Sequence, residues 1–443
     1  MIGANSASQA RKAGLAALVG SSLEWYEYLI YGTASALVFP KLFFSGLADQ
    51  AALMVSFGTF GAAFVMRPLG AIVFGHFGDR VGRKKMLIMP LAGMGCATFL
   101  IGFLPSYQRL GIVAPLLLIV LRMVQGFCLG GEWGGAATVA VENAPDHRRG
   151  LYGTMMQLGV PVGTLLSSGV FRAVSSIPDA EFLSWGWRVP FWISPVLLGV
   201  ALWIRMALTE SPTFSKLSNR SGQVRAPALE VIRKAWPTVL LLIGAQAANN
   251  AAFFGFSTYS VAYATETVGL DRSVILTGLI IASGVTIVVE PIMGALSDRV
   301  GRRLIFSSGA ILIALWSFPF FWLIDTGNRS LVLLSVVIGV GVCYATVAAL
   351  NAPFYTEQFA TRVRFTGSAM SYNLSTLLIS APGPVIAVWL VSLTGSTTLL
   401  SAYLVLLCLI TVGCVLGLHE TYRCSLDEDL TDKPPHEYLS DSS

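Results

Sequence analysis

About twelve apolar runs of roughly 20 residues each follow one another along this chain, and they decide most of what it can fold into. A helix rises 1.5 Å per residue, so each run is long enough to cross a hydrocarbon layer of about 30 Å. The expected spans cover 15–38, 52–77, 85–105, 112–142, 150–176, 189–208, 236–262, 274–297, 304–324, 331–357, 365–392 and 398–418. They are apolar on nearly all sides and contain the Gly and Pro that membrane helices tolerate, whereas barrel strands would be shorter and alternate apolar with polar. Only 12% of the residues are charged, where a soluble domain carries about a quarter. The fold class expected is an all-α membrane protein of twelve transmembrane helices.

The few charges fix orientation. A formal net charge of +5 invites a nucleic-acid partner, but the basic residues sit in short gaps between spans and form no patch, so the partner expected is a lipid bilayer and no nucleic acid. With the N-terminus inside, the inner segments hold Arg11 and Lys12, the clusters Arg80 to Lys85, Arg148 and Arg149, Arg299 to Arg303, and Arg362 and Arg364, besides Lys216, Arg220, Arg225, Arg233, Lys234, Arg423 and Lys433. The outer gaps hold Lys41, Arg109, Arg172, Arg188, Arg272 and Arg329. An excess of roughly three to one places both termini in the cytoplasm. The run after Arg11 and Lys12 is too long for a secretory leader and contains Glu24 and Glu27, so it reads as a retained first helix. Five of the six cysteines fall inside spans and no His or Cys spacing fits a metal, so no disulfide framework, metal or cofactor is expected.

The longest polar interruption, about 209–234, divides the spans six and six, and near-repeats recur across it. "GHFGDRVGRKK" (Gly75 to Lys85) returns as "GALSDRVGRR" (Gly294 to Arg303), "ENAPDHRRGLYG" (from Glu142) as "EQFATRVRFTG" (from Glu357), and "TESP" (from Thr209) as "HETY" (from His419). The domains expected are 1–208, a linker at 209–234, 235–420, and a tail at 421–443. Six is even, so both copies enter the bilayer from the same side, giving two pseudo-symmetric six-helix bundles about a central cavity. Bundles of that kind work by rocking around a midplane site, which makes the repeated stretch a cytoplasmic latch.

Four stretches in order, "SSLEWYEYLIYG" (Ser21 to Gly32), "MRPLGAIVFGHFGDRVGRKK" (Met66 to Lys85), "RMVQGFCLGGEWGGAATVAVENAP" (Arg122 to Pro145) and "SWGWRVPFW" (Ser184 to Trp192), make the chain resemble the major facilitator superfamily and, within it, the metabolite:proton symporter group. The resemblance implies twelve helices, residence in the inner cell membrane, and uptake of a small metabolite with a proton. It also implies a gate in the loop after helix 2, made by Gly75, Asp79, Arg80, Gly82 and Arg83. There Asp79 can accept hydrogen bonds from a helix N-terminus of the other bundle, and Arg83 can bridge to Glu142. Asp298, Arg302 and Glu357 repeat the set, and are expected to be weaker because Ala295, Leu296 and Ser297 replace His76, Phe77 and Gly78.

Other charges lie deep. Glu24, Glu27, Tyr28 and Tyr31 share one face of helix 1 near the midplane, where inserting an acid costs on the order of 2.5–3.5 kcal/mol. Arg122 in helix 4 cannot deprotonate and therefore needs an anionic partner, and Arg67 in helix 2 is a second fixed positive charge. "RMVQG" resembles the arginine motif linked to proton coupling in the superfamily. A substrate carboxylate that displaces Glu27, Glu24 or Glu132 from an arginine would leave that acid free to take a proton, and Glu27 is favoured over Glu132 as the carrier. Gln125 and Trp133 share the Arg122 face, while Gln246, Asn249, Asn250, Tyr344 and Asn351, with Tyr355, Tyr372 and Asn373, offer neutral groups to a substrate from the second half. Glu290 is the one acid at depth there.

The function expected is proton-coupled symport of a small organic anion, with proton and anion as partners, by alternating access and in a functional monomer. An enzyme is not expected, since no nucleophile is matched to a base and no nucleotide loop occurs. Symport of a zwitterionic osmolyte such as proline or betaine is one alternative. Drug:proton antiport is another, although "GTMMQLGVPVGTLL" matches an exporter pattern only in part.

Overall fold

The computed structural model describes residues 2–208, 210 and 226–426. The basic residues Lys216, Arg220, Arg225 and Lys433 of the expected linker and tail lie outside the described residues. The described chain is helical and contains no strand. Its long segments are α1 (Ile2–Leu37), α2 (Asp49–Val81), α3 (Arg83–Ile101), α4 (Val113–Glu142), α5 (Arg149–Gln157 continuing as Gly159–Val174) and α6 (Val189–Met206). They continue as α7 (Trp236–Thr265), α8 (Arg272–Val300), α9 (Arg302–Asp325), α10 (Arg329–Glu357), α11 (Arg364–Thr394) and α12 (Thr398–Leu416).

Ten segments among the described residues have the length and composition to cross a membrane. The other two expected spans are present as helices of a different character. Glu24, Glu27 and three tyrosines dilute the apolarity of α1, and α5 is interrupted at Leu158. Short helices fill gaps expected to be loops, at Phe39–Phe43, Tyr107–Leu110, Asp179–Ser184 and Pro227–Lys234. The last belongs to the expected linker and is tied down by Glu230, which accepts from Arg362 at 2.8 Å.

Two turns break the helices at equivalent places. Gly82 (φ 132°, ψ 147°) separates α2 from α3, and Gly301 (φ 111°, ψ 153°) separates α8 from α9. Only glycine adopts that backbone region without strain, so the repeated "RVG" is a helix terminator before it is anything else. The motif "SWGWRVPFW" is likewise architectural. Trp187 is fully buried against Phe39, Phe43 and Phe191, and Arg188 donates to the carbonyls of Gly102 and Leu104 at 2.9 and 3.0 Å, closing the open end of α3.

Burial runs in the sense a bilayer requires. Trp203, Leu315, Trp322 and Val385 face outward, while the interior holds small residues that let backbones meet. A Cβ on Gly130 of α4 would stand 2.6 Å from the Ala71 nitrogen and 3.0 Å from the Arg67 carbonyl carbon on α2. Gly130→Val should therefore push these helices apart at the level of Arg67, lowering stability by roughly 1–3 kcal/mol. Thermal unfolding of the detergent-solubilised protein would register it, and an unchanged midpoint would contradict this packing.

Candidate functional site

Where the first six helices meet the last six, the walls are shaped by irregular backbone. Wide π-helical turns interrupt α7 at Phe253–Tyr259, α10 at Gly339–Tyr344 and α11 at Thr376–Ser380. Such turns loosen the regular ladder and gather at functional sites. Phe253, Phe254, Tyr344, Thr376 and Ser380 from these turns all line a cavity of about 50 Å³. Its opposite wall is Glu24, Trp25, Tyr28, Phe64 and Arg67, with Gln157 beside the break in α5. Asn249, Asn250 and Tyr372 complete it.

At this cavity Arg67 pairs with Glu24 at 3.4 Å, while the second oxygen of Glu24 is buried without a hydrogen-bond partner. Asn250 donates to Ser375 at 3.1 Å, and the Asn249 side-chain oxygen is buried without a partner. Fixed positive charge, an under-satisfied acid and an under-satisfied amide thus converge on one space, the condition under which a polar solute completes the hydrogen bonding.

Other sequence candidates lie outside that wall. Arg122 donates to Gln125 at 3.2 Å and sits over the Tyr31 ring at 4.1 Å and the Tyr28 ring at 5.8 Å. Tyr31 itself shares a 2.6 Å hydrogen bond with Thr59. Gln125 donates to Thr98 at 2.6 Å, Thr98 donates to Glu27 at 2.7 Å, and Ser194 also donates to Glu27. Arg122 is therefore joined to Glu27 through an amide and a hydroxyl. The arginine that meets Glu132 is neither Arg67 nor Arg122 but Arg205 on α6, which was not among the residues expected at depth. Its guanidinium is fully buried, and it also donates to the Leu87 carbonyl.

In the second half, Gln246 accepts from Tyr355 at 3.1 Å, and Asn351 is buried with neither side-chain atom bonded. Trp133 is not on the cavity wall. It stacks flat on Tyr372 at 3.8 Å, behind the wall that Tyr372 forms. Asn373 donates to the Gly130 carbonyl at 3.0 Å, tying α11 to α4.

Toward the cytoplasmic end the two sets of helices are crossed by a double latch. Asp79 accepts from the backbone N–H groups of Phe365 and Thr366 at 3.3 and 2.9 Å and from the Thr366 hydroxyl at 2.6 Å, capping the start of α11. In return Asp298 accepts from Gly150 and Leu151 at 2.8 and 3.1 Å, capping the start of α5. Arg83 pairs with Asp79 and reaches Glu142 at 3.4 Å, and Arg302 pairs with Asp298 at 2.8 Å and bonds both oxygens of Glu357 at 3.2 Å. Arg364 then crosses to Glu142 at 2.9 Å, and Arg149 crosses to Glu357 at 3.5 Å.

The second copy, expected to be the weaker, carries a matching set of bonds, to which Ser297 adds a hydroxyl 2.6 Å from Arg302. Gly75 is the close-approach position, since a Cβ there would lie 2.7 Å from Thr366 Cα. Arg80 stands apart, exposed, with His76 at 3.5 Å.

Sequence reasoning left several latch residues without a role. Glu210 accepts from the backbone N–H of Arg83 at 2.9 Å, and Glu420 from that of Arg302 at 2.8 Å, each capping the helix after the glycine turn. The paired "TESP" and "HETY" were the signal. The segment beyond α12 is also built in: Thr421 donates to Glu357, the Cys424 carbonyl accepts from Arg149 at 2.6 Å, and the Leu426 carbonyl accepts from Arg364 at 2.7 Å.

Two measurements follow. Glu132→Gln and Arg205→Met should each cost about 3–5 kcal/mol because the partner charge stays buried, while Glu132→Leu combined with Arg205→Met should recover most of it; thermal unfolding of all three tests the pair. Asp79→Asn weakens charge-assisted bonds worth about 1.5–3 kcal/mol each, so it should shift the open-to-closed ratio at the cytoplasmic end at least about tenfold. Spin labels on the exposed positions Arg80 and Arg299 would report this as a longer distance, and an unmoved distance distribution would count against the latch.

The sequence profile described as Major Facilitator Superfamily matches residues 28–384. The chain is 35% identical over 425 residues to the "Shikimate transporter" of Escherichia coli K12, covering 95% of this chain and 97% of the relative. It is 40% identical to the "Inner membrane metabolite transport protein YhjE" of the same organism, covering 93% and 94%. To the "Proline/betaine transporter" of that strain it is 33% identical, covering 92% and 83%. Among solved structures, the proton:xylose symporter XylE bound to 6-bromo-6-deoxy-D-glucose superposes with a TM-score of 0.70 over 93% of this chain and 95% of that one, at 19% identity, a likeness of fold alone.

Proposed function

Since the chain belongs to the Major Facilitator Superfamily of membrane transporters, we propose that it is an inner-membrane symporter that takes up a small organic anion together with a proton. The observation that carries this reading is the Arg67–Glu24 pair on the cavity wall, one carboxylate oxygen of which has no hydrogen-bond partner. A solute carboxylate competes with Glu24 for the guanidinium, because a bidentate arginine–carboxylate contact is stronger than a single bond at 3.4 Å. Glu24, once displaced, is a bare carboxylate in a poorly solvated space and takes a proton. Anion and proton then enter as a neutral set. Glu27, held by Thr98 and Ser194 and linked to Arg122 through Gln125, is the second candidate carrier in this reading, and Glu132 with Arg205 is the structural pair.

In the second set of helices, Asn249, Asn250 and Tyr344 supply neutral hydrogen-bonding groups to the rest of the solute. Residues 1–208 and 235–420 rock against each other as two units joined by the 209–234 linker, and the crossed latches hold the cytoplasmic side shut while the cavity loads. The names of the relatives support a metabolite of carboxylate type, shikimate being the anion named for one of them.

A second reading has its own observation. Trp25, Tyr28, Phe64, Phe253 and Phe254 surround the cavity with aromatic faces, the setting that receives a quaternary ammonium, and relatives named proline/betaine transporters exist.

Counterflow in proteoliposomes across shikimate, 2-oxoglutarate, proline and glycine betaine, with both pH values controlled, separates the two readings. The proposal expects exchange of an acid, accumulation that accelerates when the outside is acidified, and about a tenfold or greater rise in half-saturation concentration for Arg67→Gln. Exchange of betaine alone, or accumulation that follows sodium instead of pH, would overturn it.

A further inference from the structure

Glu290 on α8 takes no part in the network of the first six helices, in the cavity wall or in the latch. It is completely buried, both of its carboxylate oxygens are without a hydrogen-bond partner, and it lies ten residues before the end of α8, about 15 Å from the cytoplasmic end. An ionisable group so placed in a membrane-spanning helix is costly and calls for a use.

Its neighbours along the helix suggest one. Gly294 and Ser297 follow at i+4 and i+7, on the same face as Glu290. That face is the one α5 covers: a Cβ on Gly294 would lie 2.9 Å from the Gly150 carbonyl oxygen, and a Cβ on Gly150 would lie 2.6 Å from the Ser297 hydroxyl. The cover over the stripe leading to Glu290 is thus the segment that Asp298 caps and that must withdraw when the cytoplasmic side opens.

The charged and titratable groups on the helices around α8 are mostly committed elsewhere. Arg149 on α5, Arg302 on α9 and Glu357 on α10 are bound into the latch, and Tyr263 on α7 donates to Asp325 at 2.6 Å. Tyr344 on α10 lies within electrostatic range of Glu290, and it lines the central cavity.

We propose that Glu290 is a second proton-carrying site, in the last six helices, switched by contact between α5 and α8. With the cytoplasmic side closed its O–H bond is intact. When α5 leaves α8, water reaches the Gly294–Ser297 stripe, the O–H bond breaks, and the proton passes to that water, leaving a carboxylate. A proton arriving through the central cavity beside Tyr344 restores the acid. This inference rests on the symport reading and adds to it a site that the anion does not touch.

The test compares wild type, Glu290→Gln and Glu290→Asp in proteoliposomes holding an internal pH indicator, with labelled shikimate, or whichever acid of the panel above exchanges, as probe. Glu290→Gln should retain counterflow, which needs no net proton movement, while its accumulation driven by a pH gradient falls about tenfold per pH unit, the loss of one coupled proton. Glu290→Asp should keep coupling with a shifted pH midpoint of net uptake. If Glu290→Gln fails to fold, that midpoint decides, and an unmoved one overturns the proposal. Equal coupling in wild type and Glu290→Gln, or a folded Glu290→Gln inactive in both assays, also overturns it. A wild type that exchanges solute but moves no proton sinks the symport reading instead.

Discussion

An ionised side chain surrounded by hydrocarbon must find its counter-charge or its hydrogen bonds within the protein, and this constraint organises the interior. Glu132 is met by Arg205, Glu24 by Arg67, and Glu27 by the hydroxyls of Thr98 and Ser194. None of these groups could be left alone without a cost of several kcal/mol. The pairs differ in completeness. Glu132 is gripped through both oxygens, whereas Glu24 is held through one, at 3.4 Å, beside a cavity. In the symport proposed above, a pair that is already loose, next to space, is the one a visiting anion exchanges with.

The same constraint, applied at the cytoplasmic end, ties the two sets of helices to each other through a few directional bonds. Each aspartate of the double latch caps a helix of the opposite set, so the bonds holding α11 come from α2 and those holding α5 come from α8. Glycine at the crossing points allows the approach, and the glycine turns let α3 and α9 start where Glu210 and Glu420 can cap them. The bonds are local and directional. They act beside an apolar contact between the sets, in which Ala71, Phe74 and Met86 pack with Phe365 and Ala369.

Much of this was legible in the sequence because the signals were periodic or repeated. Apolar run length and the arginine and lysine bias are collective properties of many residues, and the duplication displayed Asp79 and Asp298, Arg83 and Arg302, and Glu142 and Glu357 in register. What escaped depended on pairing between distant helices. Arg205 sits near the end of a span and reads as an ordinary cytoplasmic anchor until α4 is placed beside it. Arg122 was expected to meet an anion; its bond to Gln125 and its place over the Tyr28 and Tyr31 rings depend on how α4 is rotated, and Gly126 and Gly130 seat α4 against α2 by contacts that run length does not encode. The π turns that present Phe253, Tyr344 and Thr376 to the cavity leave no periodic trace, because the composition of those stretches is that of any membrane helix.

The stretch beyond α12 has an implication for biosynthesis. Thr421, Cys424 and Leu426 stitch Glu357, Arg149 and Arg364 together, yet they are translated after every helix has been made. The nascent protein therefore has all its membrane helices available for insertion before its inner face can be fully sealed. These last contacts between the two sets are in this sense made by residues that follow every described membrane helix in the chain.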